Sequence, residues 1–229
     1  MTFLFTSLLA GLASLTTPPE TVTGFKADMV PAKAVRPAAF IPAGWLLEKQ
    51  VTGDLNGDNR PDPVLMLVER PSPSAPELRR QRALVVLIAE PSGQFRRVAA
   101  SGTALYCTGC FESDRGNGGA PELSISKGVL SVRHVSGAQQ TLDLTQRYRY
   151  EPGADRVRLI SDNVLQSSRL KLDTTVKRTD YLTGQQQVEH ITADPADASG
   201  AKQLFSRKDG KVPTAPRYLE DIKVGDLAL

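Results

Sequence analysis

Residues 53–69 read Gly53-Asp54-Leu55-Asn56-Gly57-Asp58-Asn59-Arg60-Pro61-Asp62-Pro63-Val64-Leu65-Met66-Leu67-Val68-Glu69. Two signals meet here. The first half is a loop of turn-forming residues with oxygen side chains at its positions 1, 3, 5 and 9: Asp54, Asn56, Asp58 and Asp62. The second half opens a strand, residues 63–70, apolar on both faces as a central strand is.

The loop has the chemistry of a calcium site. Ca²⁺ takes several hard oxygen ligands at about 2.3–2.6 Å, and alternate residues of a tight loop can aim them at one centre. A backbone carbonyl near Arg60 would add a ligand at position 7. Without a cation, Asp54, Asp58 and Asp62 repel one another in a compact loop. An EF-hand needs a bidentate Glu at position 12 and flanking helices, but position 12 is Leu65, inside the strand-like run. A dockerin-type loop fails likewise and would be duplicated. What remains is a calcium loop running straight into a strand, against the alternative of a solvated Asx-rich turn without an ion. The spacing favours calcium.

Outward from this stretch the chain reads as more strands. Residues 45–51 precede the loop. After a Pro/Ser-rich stretch at 71–76 come 83–89, a second buried strand, and 94–101 across Pro91-Ser92-Gly93. Residues 122–126 and 129–136 flank Lys127-Gly128, a hairpin signal. Residues 141–151 alternate polar and apolar, 157–165 follow a Pro-Gly turn, and 174–182 and 185–193 flank Thr183-Gly184. No window has a convincing helical period. The pattern predicts an all-β domain of antiparallel sheets over 41–193: a sandwich, an open barrel or a few propeller-like blades. Residues 18–40, with Pro18, Pro19, Pro31 and Pro37, are expected to be a disordered, Pro-rich linker arm, and 194–229 an irregular tail that docks or hangs free.

The stretch from Ile41 to Glu69 resembles the start of a group of exported bacterial proteins with a single FG-GAP/VCBS-like loop. The likeness continues through Cys107-x-x-Cys110, PELSISKGVLSVRH (121–134), RYRYE (147–151), RLI (158–160) and TDYLTG (179–184). It implies that Asp54, Asn56, Asp58 and Asp62 are the calcium ligands, and it implies a fold type and a compartment. It brings no activity with it. One segment departs: SGAQQTL follows Val135 where the resemblance leads one to expect Gly/Ser and aromatic residues. A full FG-GAP propeller repeats its loop in several blades, and this chain has one.

The compartment also reads from the N-terminus. Residues 3–15 are apolar, uncharged and short for a bilayer, as in the core of a signal peptide covering 1–17, with Gly11 and Ala13 as small residues for cleavage. No basic residue precedes the run, and the alternative is a buried N-terminal helix. No transmembrane segment is expected in the mature chain, which points to a periplasmic or extracellular protein. In that compartment the two cysteines, Cys107 and Cys110, are expected to form a local disulfide. A zinc site would need His134 and His190 as further ligands, and a thioredoxin-like centre would need a helix N-terminus.

The 229 residues suit one domain, and 23% charged against 40% hydrophobic is a globular balance. A net charge of +3 with dispersed Lys and Arg gives no reason to expect nucleic acid. Arg79, Arg80, Arg82, Arg96 and Arg97 read as solvated strand edges or a small cationic patch. His134 shares a face with Leu130 and Val132 and is expected partly buried, and Tyr148 and Tyr150 are expected to share a sheet face opposite Arg147 and Arg149. No G-x-S-x-G or H-E-x-x-H occurs, and no catalytic residue is assigned. The sequence therefore points to an exported, calcium-binding interaction or structural module of the cell envelope, with a protein or glycan partner. The alternatives are an envelope hydrolase using paired carboxylates and a thiol oxidoreductase at the C-x-x-C.

Overall fold

The computed structural model describes residues 24–71, 79–110, 119–137, 140–168, 170, 172–197 and 202–227. The proposed signal peptide lies outside them. Among the described residues twelve strands form two open antiparallel sheets, neither closed into a barrel. The first contains β1 (Lys33–Ala34), β2 (Trp45–Gly53), β3 (Asp62–Glu69), β4 (Arg82–Ala89) and β5 (Phe95–Ser101), in the order β1-β5-β4-β3-β2. The second is a meander of β6 (Glu122–Ser126), β7 (Val129–Ser136), β8 (Gln140–Glu151), β9 (Arg156–Ser168), β10 (Asp173–Asp180), β11 (Gln185–Ala193) and β12 (Gln203–Lys211). The all-β expectation holds, and each strand expected within 45–193 is present with its ends moved by no more than three residues.

The strands β3 and β4 are buried on both faces because they lie between two apolar layers. On one face Val64, Met66, Leu84 and Val86 meet Val132, Leu144, Leu159 and Val164 of the seven-stranded sheet. On the other, Leu65, Leu67, Val85 and Leu87 are covered by Val30, Phe40 and Trp45. The described part of the Pro-rich arm is therefore not free. It has little regular structure, two 3-10 turns and the two-residue β1, yet Val30 and Phe40 are 1% and 0% exposed. Removing such side chains from water stabilises the fold by about 1.5–3 kcal/mol each, which holds the arm down beside the short pairing of β1 with β5.

The tail differs from expectation. It contains β12, whose nine residues are all exposed. An edge strand held by backbone pairing to β11 needs no apolar alternation, so none is there to read. Beyond it Leu219, Ile222, Val224 and Leu227 turn inward and close the inter-sheet core.

Candidate functional site

The acidic loop joins β2 to β3 and its own side chains fold it. Asp54 Oδ1 accepts the N–H groups of Gly57 (2.7 Å) and Asp58 (3.2 Å), and Oδ2 accepts that of Asn59 (2.9 Å). The chain can curl this tightly because Gly57 (φ 82°) and Asn59 (φ 63°) take left-handed backbone that Gly and Asn tolerate. Asp62, fully buried, accepts the N–H groups of Leu55 (2.8 Å) and Ala89 (2.9 Å), so it ties the loop to β4. Burial raises its pKa, and the charges of Asp58 and Asp54 raise it further. Asp58 is held below its ordinary value by Asn56 and by Arg60, whose Nη1 lies 2.7 Å from Oδ2. Asn56 Nδ2 donates to the same oxygen at 2.9 Å.

The four sequence-predicted ligands thus occupy one closed turn. As the side chains stand, no three His, Cys, Asp or Glu among the described residues converge as a metal-ligating group. Asp54 faces the loop amides, Asp58 faces Arg60 and Asp62 faces β4. The donor set is nevertheless all oxygen, as a hard cation requires, and its three carboxylates outnumber the single Arg60 cation.

The loop also sits where the sheets meet. Leu55 is buried in the inter-sheet core, and its carbonyl lies 3.7 Å from where a Cβ on Gly128, in the β6–β7 turn, would stand. A Cβ on Gly53 would come within 2.6 Å of Ile125 Cγ2 on β6, so only glycine permits this approach.

A second feature was not anticipated. The seven-stranded sheet carries a groove of about 750 Å³ across β8 to β12. Every lining residue is polar or glycine. Arg147, Ser161, Asp180, Gln185 and Lys211 form one cross-strand row, and Asn163, Arg178, Gln187 and Asp209 the next. Arg178 Nη1 donates to Glu189 (2.8 Å) and Gln187 (3.1 Å), and Arg207 Nε to Asp209 (3.1 Å). Arg147 and Lys211 have no partner among the described residues. The expected alternation of 147–150 was the one sequence signal for this surface: Tyr148 and Tyr150 are buried, while Arg147 and Arg149 are exposed. The β12 contribution gave none.

Beneath the groove the alternating residues Gln146, Asp162 and Thr179 point to the opposite side and are buried. Asp162 Oδ2 accepts the Tyr181 hydroxyl at 2.6 Å, and Tyr181 accepts Arg217 Nη1 at 3.2 Å. Burial, with Asp162, raises the Tyr181 pKa. Lys177 Nζ donates to the Leu227 carbonyl at 2.7 Å, which ties the tail to β10.

No family model, curated protein or solved structure matches the chain. What the site can do follows from its side chains. Each groove carboxylate has a partner: Asp180 Oδ1 accepts the Leu182 and Thr183 amides (2.8 and 2.9 Å), Asp209 accepts Arg207, and Asp162, buried on the far side, accepts the Tyr181 hydroxyl.

Cys107 and Cys110 are joined, with Cα atoms 5.2 Å apart. Both lie in the loop after β5, Cys107 half-buried and Cys110 exposed, so the bridge is not an inter-strand one. Arg80 anchors its loop, donating N–H to Thr108 Oγ1 and accepting the Thr108 N–H, each at 2.9 Å. The helix N-terminus that thiol redox chemistry calls for is not found among the described residues, whose only helices are short 3-10 turns. His134 is buried as expected, and His190 Nε2 lies 2.7 Å from Asp173 Oδ1. Arg82 corrects the reading of a solvated edge. It is 5% exposed and makes a two-point pair with Glu48 at 2.7 and 2.8 Å.

Proposed function

We propose that this protein is an exported, non-enzymatic binding module of the cell envelope whose working surface is the groove across β8 to β12, with a calcium ion pinning the acidic loop. The observation that carries the binding reading is the groove's lining, made of polar residues and glycine, with each of its carboxylates holding at least one hydrogen bond. The N-terminal apolar run and the Cys107–Cys110 bridge support export. Among the described residues no helix is long and apolar enough to cross a membrane.

The calcium reading rests on the closed loop and its oxygen donors. Asp54, Asn56, Asp58 and Asp62 would hold the ion, which would supply the divalent charge that the three carboxylates lack. Because Leu55 and Gly53 of the same segment touch the second sheet, fixing the loop stabilises the contact between sheets.

An ion that binds only the native state raises stability, by about 2.7 kcal/mol at a free concentration of 100 Kd. Thermal unfolding of the full chain is expected to shift upward with added calcium and to fall again with a chelator. Arg60→Gln, which frees Asp58, is expected to tighten calcium binding in a calorimetric titration. A melting temperature indifferent to both calcium and chelator would remove the ion from this account.

A further inference from the structure

We infer that the groove holds an acidic glycan; this rests on the groove being the binding surface. Arg178 is spent on Glu189 and Gln187, and Arg207 on Asp209. Arg147 and Lys211 are left, and they stand at opposite ends of one cross-strand row, Arg147–Ser161–Asp180–Gln185–Lys211. Four strand spacings separate β8 from β12, about 19 Å measured along the sheet. Two unpaired cations at that separation complement an extended ligand with anionic groups spaced along it, not a single small anion.

The side chains between the cations identify the rest of the ligand. Ser161 and Gln185, in the row between them, offer a hydroxyl and an amide that both donate and accept. Asp180, already anchored by two turn amides, has acceptor capacity left for a hydroxyl donor. A chain of sugar rings bearing carboxylates supplies both: anions for Arg147 and Lys211, hydroxyls for the row between them. An acidic peptide supplies the anions, with main-chain amides in place of the hydroxyls. Peptides are recognised through apolar anchors or as an added strand along a sheet edge; the groove lining contains no apolar side chain, and its charged row crosses the strands instead of following the free edge of β12. The same lack leaves no place for a lipid tail.

The test is calorimetric titration of the full chain with three probes: a uronic-acid oligosaccharide, the same oligosaccharide methyl-esterified at its carboxyls, and polyglutamate. The acidic oligosaccharide is expected to bind, more weakly as salt rises, and the ester not to bind. The double variant Arg147→Ala/Lys211→Ala is expected to weaken binding about tenfold or more. Both side chains are exposed, so the variant should keep the wild-type melting temperature. Lys208→Ala, on the same β12 but with its side chain on the opposite face, is expected to change nothing. If the ester binds equally well, or polyglutamate binds in preference, and the double variant abolishes that binding, the acidic glycan is overturned while the groove stands. Binding of no probe, or binding indifferent to the double variant, overturns both.

Discussion

Glu48 shows how one residue's placement sets local energetics. The pairing of β2 with β3 runs Leu47 to Leu67 and then Lys49 to Met66, so Glu48 is the extra residue of a bulge. A bulge re-aims its side chain, and here it brings the Glu48 carboxylate onto the Arg82 guanidinium in two hydrogen bonds. Arg82 also donates to the Tyr106 carbonyl at 3.3 Å. Arg82 is at 5% exposure, so its charge depends on Glu48, and breaking such a pair from one side typically costs about 3–5 kcal/mol. Glu48→Gln is expected to lower stability by about that amount in urea unfolding. Replacing both residues by apolar ones of similar size is expected to recover much of it, since a buried ion pair adds little over good packing. A Glu48→Gln loss below about 1 kcal/mol would mean that water, not Glu48, satisfies Arg82.

At the scale of elements, the tail contrasts two hydrophobic residues. Phe205 lies on β12 and is 63% exposed, while Ile222, in a segment with no strand pattern, is at 0%. Ile222→Ala is expected to cost about 2–5 kcal/mol and Phe205→Ala to fall within about 0.5 kcal/mol of wild type, both by chemical denaturation. Equal losses would place the tail off the core. The contrast also explains what could be read beforehand. The strands of the interior were legible because burial on one or both faces imposes period two or a continuous apolar run, as in Val64–Val68 and Tyr148–Tyr150. The acidic loop was legible because Asp54, Asn56, Asp58, Gly57 and Asn59 fix its turn by local hydrogen bonds. The groove was not, since its lining comes from five strands whose side chains meet only through register. Nor was β12, which is held chiefly by backbone pairing to β11, or the seat of Glu48, which one inserted residue decides.

For the molecule as a whole, the sheet–sheet interface carries a pH dependence. His134 of β7 faces the inter-sheet core at 4% exposure, with its ring edge-on to Tyr106 at 5.2 Å. Burial, aided by the Arg82 charge, depresses its pKa from 6.5 to about 4. The folded chain therefore keeps His134 neutral where the unfolded chain protonates it. Stability is complete above pH 6.5, falls as acid drives protons onto the unfolded chain alone, and levels off below about pH 4. The shift corresponds to a loss on the order of 3 kcal/mol across that window. Asp62 acts in the opposite sense. Its raised pKa makes the folded state the better proton acceptor at acid pH, so its contribution grows as pH falls. Comparing wild type with His134→Phe cancels the Asp62 term and keeps an aromatic ring against Tyr106. The melting temperature of wild type is expected to drop more steeply than that of the variant between pH 6.5 and 4, with the two profiles parallel above pH 6.5. Profiles parallel throughout the acid range would show that His134 takes its proton in the folded protein as easily as in the unfolded chain, and that the two sheets part enough at this end to admit water.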